Sequence, residues 1–131
     1  MDNIKAVVFD CDGVMFNSQK ANLDFYNTIL EHFAVVPVTH EYPDKVKLCH
    51  TASSPQVLLG LLGADLGRAA IEYAQQVDYD QFIPQLQMED GLIELLPQLL
   101  QHFKLAVATN RGDSMLKILD YFEINGMVAC V

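Results

Sequence analysis

The sequence has little positive charge. It contains 8 Lys and Arg residues against 17 Asp and Glu residues, so its formal net charge is −9 at pH 7. A protein that binds nucleic acid needs a basic surface to neutralise phosphates, and the chain offers no basic stripe. Nucleic acid is therefore excluded as a partner. The same negative field repels anions, so a site that binds an anion in this chain needs a local cation.

Cysteine is scarce as well. Cys11, Cys49 and Cys130 are scattered along the chain, and none of them forms a C-x-x-C pair. This spacing excludes a disulfide framework and a cysteine zinc site, and it predicts reduced thiols. Cys11 has no adjacent His or Lys that would mark it as a nucleophile, so we interpret it as a residue that packs within a strand.

Long hydrophobic runs, internal repeats and low-complexity segments are all missing. No apolar run approaches the length of a membrane span, and Asp2, Lys5 and Asp10 interrupt the first apolar run, which argues against a signal peptide. We therefore predict a soluble, cytoplasmic protein that has no membrane partner. The chain does have a hydrophobic fraction of 51% over 131 residues, which is enough to build a core.

Two carboxylates follow the first apolar run. Residues 6–9 read Ala-Val-Val-Phe and lead into Asp10, after which come Asp12 and Gly13. Such a short run is typical of a strand buried on both faces of a parallel sheet. Side chains at the carboxyl end of that strand point into the crevice where open α/β sheets bind ligands. Two acids this close repel each other unless a cation lies between them, although Asp and Gly also occur in ordinary turns.

A second apolar run, over residues 104–109, also ends in polar residues, and a helix over residues 113–122 follows it. Right-handed crossovers bring the carboxyl ends of parallel strands to one edge of a sheet, so we expect Thr109 and Asn110 to face the two acids. A hydroxyl, backbone amides and a helix amino end together make an anion site. The alternative is an ordinary strand end and helix cap without a ligand.

The middle of the chain is helical, and nothing between Ser18 and Gln81 is typical of a strand. Apolar residues at spacings of three and four predict four helices, over residues 18–34, 41–50, 54–62 and 65–80. The third begins with a capping Ser54 followed by Pro55.

The remaining elements belong to an α/β fold. Residues 90–102 predict a helix that Pro97 kinks, and residues 127–131 predict a last strand. We therefore predict a partial Rossmann-like parallel sheet with an inserted bundle of helices. The core takes in residues 1–17 and 82–131, and the helical insertion takes in residues 18–81.

The acidic run from Asp10 to Ser18 (D-C-D-G-V-M-F-N-S), the helical insertion and the run from Lys104 to Arg111 (K-L-A-V-A-T-N-R) resemble the haloacid dehalogenase-like (HAD) hydrolase superfamily, in its subgroup with a helical cap. The resemblance implies a magnesium-dependent phosphatase. It implies that Asp10 attacks phosphorus and forms an aspartyl-phosphate, while Asp12 protonates the leaving oxygen and then activates water. It also implies that Mg2+ is held by the Asp10 carboxylate and the Asp12 backbone carbonyl.

The resemblance further implies that Thr109, the backbone at Asn110 and Gly13 bind the phosphoryl group. Arg111 either steadies a substrate or makes a surface ion pair. An acid at position 12 favours phosphate transfer over dehalogenation, because an alkoxide leaving group needs a proton and a halide does not. The expected substrate is a small phosphorylated metabolite. A phosphosugar mutase of the same superfamily is an alternative to the phosphatase.

The chain departs from the family pattern near its end. Family members need a later lysine and a later acidic motif, yet no Lys follows Lys117 and no acid follows Glu123. We therefore expect an amino-terminal part of a longer protein, with little activity alone. The expected topology leaves the backbone of residues 4–9 open along one edge of the sheet, which predicts a homodimer through that edge.

Two other function classes stay open from the sequence. A receiver-like signalling domain also combines acids, magnesium and a threonine, but it needs a phospho-accepting Asp after a mid-chain strand, and residues 48–54 offer none. A non-catalytic module that binds metal or phosphate is the other alternative, and it would bind both without turnover.

Overall fold

The structure is a computed structural model that describes residues 3–109, 111 and 113–131. The chain divides into two compact units. The first, which we call the core unit, consists of Met1–Ser18 and Ile83–Val131, and the second, the helical unit, consists of Gln19–Phe82. The predicted boundaries, after residues 17 and 81, each lie one residue before those of the structure.

The described residues form short strands and six α-helices. The strands are β1 (Ala6–Asp10), β2 (Phe16–Asn17), β3 (Gln87–Met88) and β4 (Lys104–Ala108). The helices are α1 (Gln19–His32), α2 (Pro43–Thr51), α3 (Ser54–Leu62), α4 (Ala64–Ala74), α5 (Leu92–Leu100) and α6 (Ser114–Tyr121). None of these helices is long and apolar enough to cross a membrane.

The main sheet of the core unit is parallel, as predicted. Strand β1 pairs with β4, and their last residues, Asp10 and Ala108, lie opposite each other. On β4, Leu105 and Val107 are buried, while the residues between and beside them are half-buried or exposed. This alternation anchors one face of the sheet in the core.

The prediction that β1 is buried on both faces is wrong. Val8 is 62% exposed, and Val7 and Phe9 are only half-buried. The described residues leave the face that carries Val8 uncovered, and no described strand pairs with the second edge of β1. Apolar composition predicted the strand correctly but could not show which elements would cover it.

The prediction of a strand over residues 127–131 is wrong in extent. The first residue of the predicted strand, Met127, belongs instead to a 3₁₀ turn over Asn125–Met127. The rest of the segment makes one isolated parallel bridge, which joins Cys130 to Ala106. The hydrogen bonds there run from the Val107 N–H to the Cys130 carbonyl (3.0 Å) and from the Ala129 N–H to the Leu105 carbonyl (2.7 Å). The segment therefore lies beside β4 where a third strand was expected.

A small antiparallel pair, β2 with β3, was not predicted. Phe16 lies opposite Met88 and Asn17 opposite Gln87. Two residues are too few to show an alternating pattern, so only the tertiary structure brings these segments together. Beside the pair, the Glu89 N–H donates to the Met15 carbonyl (2.9 Å), and Met15 and Phe16 are fully buried. The pair thus fixes the segment that comes after the two acids.

Helix α5 covers a shorter range than the predicted 90–102 and has Pro97 inside it. The proline lacks an N–H, so one bond of the helix is missing there, and the kink expected at Pro97 stays a prediction. Helices α5 and α6 supply the core under the sheet with Leu92, Leu96, Met115, Ile118 and Leu119.

The helical unit contains no strand among residues 19–82, all of which the structure describes, as predicted. Its helices pack around an apolar cluster. The buried members are Tyr26, Ile29, Leu30, Val38, Cys49, Val57, Leu58 and Ala70. Helix α1 ends before Ala34, whose φ of +56° turns the backbone out of the helix.

The other helix boundaries differ from the predictions for local reasons. Helix α2 begins at Pro43, since proline favours the first turn. Helix α3 is capped by Ser53, not by Ser54, and the Ser53 N–H donates to the Gln56 Oε1 (3.3 Å). Helix α4 ends at Ala74, short of the predicted residue 80, and a 3₁₀ turn begins at Tyr79.

Candidate active site

The carboxyl ends of β1 and β4 form the candidate site. Asp10 is the last residue of β1, it is exposed, and its register partner is Ala108. Thr109 follows Ala108 directly and is half-buried. Because the two strands are parallel, the carboxylate of Asp10 and the hydroxyl of Thr109 lie at the same edge of the sheet.

The loop after Asp10 is tightly folded. The Cys11 carbonyl accepts from the N–H groups of Met15 (3.0 Å) and Phe16 (3.2 Å), and the Gly13 N–H donates to the Phe16 carbonyl (2.9 Å). Gly13 has a φ of +81°, a conformation that glycine adopts without strain. This loop presents Asp12 to solvent next to the end of β1.

The side chain of Arg111 binds both carboxylate oxygens of Asp12. Its Nε donates to Oδ2 at 3.1 Å and its Nη2 donates to Oδ1 at 2.6 Å. The Arg111 side chain is 12% exposed and the Asp12 side chain 46%. Two parallel bonds of this kind are the strongest geometry available to an arginine and a carboxylate.

Further bonds tie Arg111 to its own loop. Its backbone N–H donates to the Thr109 Oγ1 at 3.2 Å, and its carbonyl accepts from the Ser114 hydroxyl at 3.0 Å. Thr109 and Ser114, the first residue of α6, therefore belong to the same hydrogen-bond network as Arg111. Through the ion pair with Asp12, this network reaches the loop after β1.

The structure brings together most of the residues that the sequence singles out. Asp10 and Thr109 end neighbouring strands, Asp12 and Arg111 are bonded to each other, and Gly13 shapes the loop. Asn110 lies outside the described residues. The roles given to these residues by the resemblance stay predictions. Of the two alternatives for Arg111, the structure has an ion pair, but its partner is one of the candidate catalytic acids.

Cys11 is not available as a nucleophile. Its side chain is fully buried, and burial raises the pKa of its thiol to about 11, with the Asp12 charge adding to the rise and the Arg111 charge opposing it. The thiol therefore stays protonated at neutral pH. Cys11 therefore packs in the core, as predicted, but it lies in the turn after β1 and not within the strand.

The donor atoms at this edge suit magnesium better than softer metals. The carboxylate of Asp10 and the backbone carbonyl of Asp12 are hard oxygen ligands, and Mg²⁺ is usually held by one or two carboxylates together with waters and substrate phosphates. Within residues 3–109, 111 and 113–131, no group of three or more His, Cys, Asp or Glu side chains could hold a metal ion. The residues therefore fit part of a magnesium shell and no self-sufficient metal cage.

The family model described as haloacid dehalogenase-like hydrolase matches residues 7–131, which include both strand ends and the helical unit. The chain belongs to the haloacid dehalogenase-like hydrolase family. A HAD-superfamily hydrolase of subfamily IA, variant 1, from Geobacter sulfurreducens is 34% identical, with a TM-score of 0.88. The alignment covers 98% of this chain and 61% of that one. No match was found among the curated proteins.

More distant structures share the fold of this HAD chain. A haloacid dehalogenase-like family protein from Streptococcus pneumoniae is 18% identical, with a TM-score of 0.83, over 99% of this chain and 61% of that one. A candidate phosphatase from Clostridium difficile is 19% identical, with a TM-score of 0.80, over 98% of this chain and 60% of that one. The HAD chain thus spans about three fifths of the length of these relatives.

The sequence predicted an ion pair as one alternative for Arg111 of the HAD site, but it did not predict that the partner is Asp12. The two residues lie next to the ends of two adjacent strands and carry opposite charges. That combination is a usable signal, because the parallel sheet was predicted and brings the two strand ends together.

Proposed function

We propose that this chain carries the nucleophile and the phosphate-binding residues of a magnesium-dependent phosphate monoester hydrolase of the HAD family. The observation that carries the proposal is the register of β1 and β4, which sets Asp10 opposite Ala108 and next in line to Thr109. A carboxylate nucleophile and a hydroxyl donor at one sheet edge suit a phosphoryl group between them.

Asp10 is the proposed nucleophile, and its exposed carboxylate is open to a substrate. One of its oxygens attacks phosphorus, and the bond from phosphorus to the ester oxygen breaks. A water molecule then attacks the aspartyl-phosphate, which releases inorganic phosphate and restores Asp10. Splitting one difficult displacement into two steps lowers the barrier of each.

Asp12 is the proposed general acid and base. It gives a proton to the leaving alkoxide in the first step and takes a proton from the attacking water in the second. Its carboxylate oxygens are both bonded to Arg111 in this structure. The ion pair therefore holds the Asp12 carboxylate directed at Arg111.

Thr109 is the proposed phosphate-binding hydroxyl. Its Oγ1 accepts the Arg111 N–H, which uses the oxygen as an acceptor and leaves the hydroxyl proton to donate to a phosphoryl oxygen. Asn110 and Gly13 are the other proposed phosphate contacts. A donor aimed at the phosphoryl oxygens stabilises the charge that they develop in the transition state.

The Asp10 carboxylate and the Asp12 backbone carbonyl are the proposed ligands of Mg²⁺. When bound, the ion neutralises negative charge on the phosphoryl oxygens. Waters and the substrate phosphate would supply further ligands. Localisation in the cytoplasm is part of this proposal, and the free state of Cys11, Cys49 and Cys130 supports it.

The proposed substrate is a small phosphorylated metabolite. The proposed alternative to the phosphatase activity is that of a phosphosugar mutase. A structure described as a candidate beta-phosphoglucomutase from Thermotoga maritima shares the fold at 19% identity and a TM-score of 0.68. A mutase would return the phosphoryl group to a sugar hydroxyl, so it would isomerise a sugar phosphate without releasing much inorganic phosphate.

The function is tested on the 131-residue chain and on a fusion protein that continues it with the carboxyl-terminal part of the Geobacter sulfurreducens relative. We expect magnesium-dependent phosphate release from p-nitrophenyl phosphate by the fusion protein, and little release by the chain alone. Binding of magnesium and phosphate by a folded fusion protein without turnover of any phosphate ester would favour the non-catalytic module.

A further inference from the structure

We propose that Arg111 holds Asp12 in an inactive arrangement and releases it when a phosphate dianion binds the guanidinium. This inference rests on the proposed function and deepens it. It assigns Arg111 as a positioning residue for Asp12 and as a contact to the substrate phosphate.

The ion pair directs the Asp12 carboxylate at Arg111 while the pair is closed. Both of its oxygens accept from Arg111, at 2.6 and 3.1 Å, so each carboxylate oxygen faces the guanidinium. A general acid or base must reach the proton it transfers, at about 2.6–3.2 Å or through one water. Its two bonds to the guanidinium oppose rotation of the Asp12 carboxylate towards a leaving oxygen, so the closed pair is the inactive arrangement of this proposal.

A phosphate is well suited to displace Asp12. The guanidinium fork matches two oxygens of a phosphate as well as it matches a carboxylate, and a phosphate dianion carries twice the charge. The bond from the Arg111 N–H to the Thr109 Oγ1 keeps the arginine backbone beside the proposed phosphate contact.

The chain has a net charge of −9, so its own field repels phosphate. An anion that approaches the site needs a local cation, and Arg111 is the cation bonded at this strand edge. Lys5 and Lys104 lie at the opposite ends of β1 and β4. While Arg111 is paired with Asp12, its charge is partly compensated, so the phosphate must compete with the carboxylate for it.

Competition predicts a specific pattern of phosphate affinities. Inorganic phosphate is titrated calorimetrically, without added metal, into the chain and its Asp12→Asn, Asp10→Asn and Arg111→Gln variants. Both aspartate variants remove one negative charge from the same sheet edge, but only Asp12→Asn opens the ion pair. We expect Asp12→Asn to tighten phosphate binding about three- to tenfold more than Asp10→Asn does.

The double variant Asp12→Asn with Arg111→Gln isolates the arginine. If Arg111 is the group released by Asp12→Asn, the extra affinity disappears in the double variant. Equal gains in the two aspartate variants, a gain that survives in the double variant, or no phosphate binding to Asp12→Asn would each overturn the proposal. A loss of affinity in Asp12→Asn would overturn it too, and would indicate instead that Arg111 and Asp12 bind phosphate together.

A nuclear magnetic resonance experiment reads the same exchange directly. The sequence contains two arginines, Arg68 and Arg111, so Arg111→Gln assigns the two Nε–H signals. We expect phosphate to shift the Arg111 signal and to leave that of Arg68, in the helical unit, unchanged; an unchanged Arg111 signal at saturating phosphate overturns the proposal.

These measurements need no turnover. If the fusion protein hydrolyses phosphate esters but the predicted affinities are not found, only the inference about Arg111 is contradicted. If the predicted affinities are found but the fusion protein hydrolyses no phosphate ester, only the proposed reaction is contradicted.

Discussion

Asp12 and Arg111 are 99 positions apart in the chain, yet their side chains share two hydrogen bonds. The contact joins the loop after β1 to the loop after β4. It forms because β1 and β4 are parallel neighbours whose carboxyl ends coincide. A candidate general acid and the cation needed for an anion site are therefore neighbours in space.

The first prediction concerns the proposed nucleophile. Asp10→Asn in the fusion protein should lower the rate of p-nitrophenyl phosphate hydrolysis at least about a thousandfold, because the amide cannot form an aspartyl-phosphate. The matched control is Asp44→Asn, which removes an exposed carboxylate in the first turn of α2 in the helical unit. Comparable rates for the two variants would exclude Asp10 as the nucleophile.

The second prediction separates the role of Arg111 in the site from its role in stability. Arg111→Gln should lower the free energy of unfolding by no more than about 1 kcal/mol, because Asp12 is 46% exposed and the pair is screened by solvent. Urea denaturation of the variant and of an Arg68→Gln control measures this difference. A loss several times larger would mean that the ion pair is a main support of the fold.

The third prediction concerns the open edge of β1, which we propose as the contact of a homodimer. Val8 is 62% exposed on this strand, and a lysine at the edge of a sheet opposes pairing with another chain. Val8→Lys should shift the mass measured by light scattering towards the monomer. The control, Val36→Lys, changes an exposed valine of the helical unit and should leave the mass unchanged. A monomeric parent chain with rapidly exchanging amides over residues 4–10 would argue against the dimer.

The fourth prediction concerns alkaline pH. Burial raises the pKa of Cys11 from 9.0 to about 11, so the unfolded chain loses this proton before the folded chain does. The stabilising contribution is complete below pH 9 and is lost as the pH rises towards 11, by up to roughly 3 kcal/mol. Denaturation of the chain and of its Cys11→Ala variant across this range measures the slope, which should be smaller in the variant. Equal slopes would mean that Cys11 does not titrate differently in the two states.

The fifth prediction tests the packing of α3 against α4. A Cβ at Gly67 would lie 2.9 Å from the Leu59 Cα and 2.8 Å from the Leu59 Cδ2. Because one of these atoms is backbone, Gly67→Ala should destabilise the chain by about 1–3 kcal/mol. Gly126→Ala is the control, since its Cβ would meet nothing within 4 Å. Thermal unfolding of both variants checks the difference, and equal midpoints would show that the helices can move apart.

Local patterns were enough to predict the type and order of most elements. Apolar spacing predicted the helices of the insertion, and short apolar runs that end in Asp10 and Thr109 predicted two parallel strands. Their ends were harder to predict, because they depend on single residues such as Ser53 and Ala34. The pair of β2 and β3 left no pattern at all, since it consists of two residues on each strand.

By itself, the sequence determined the family, through the resemblance of its two motifs and the insertion between them. It also determined the parallel arrangement of the two main strands and the polar residues at their ends, because apolar runs and the residues that end them are properties of neighbouring residues. Only the tertiary structure decided that Val8 is exposed, that residues 129–130 make a single bridge, and that Arg111 bonds both oxygens of Asp12. Each of these depends on which distant segments meet and how closely. The burial of a strand face, the extent of strand pairing and an ion pair between distant residues therefore depend on packing, which no local pattern encodes.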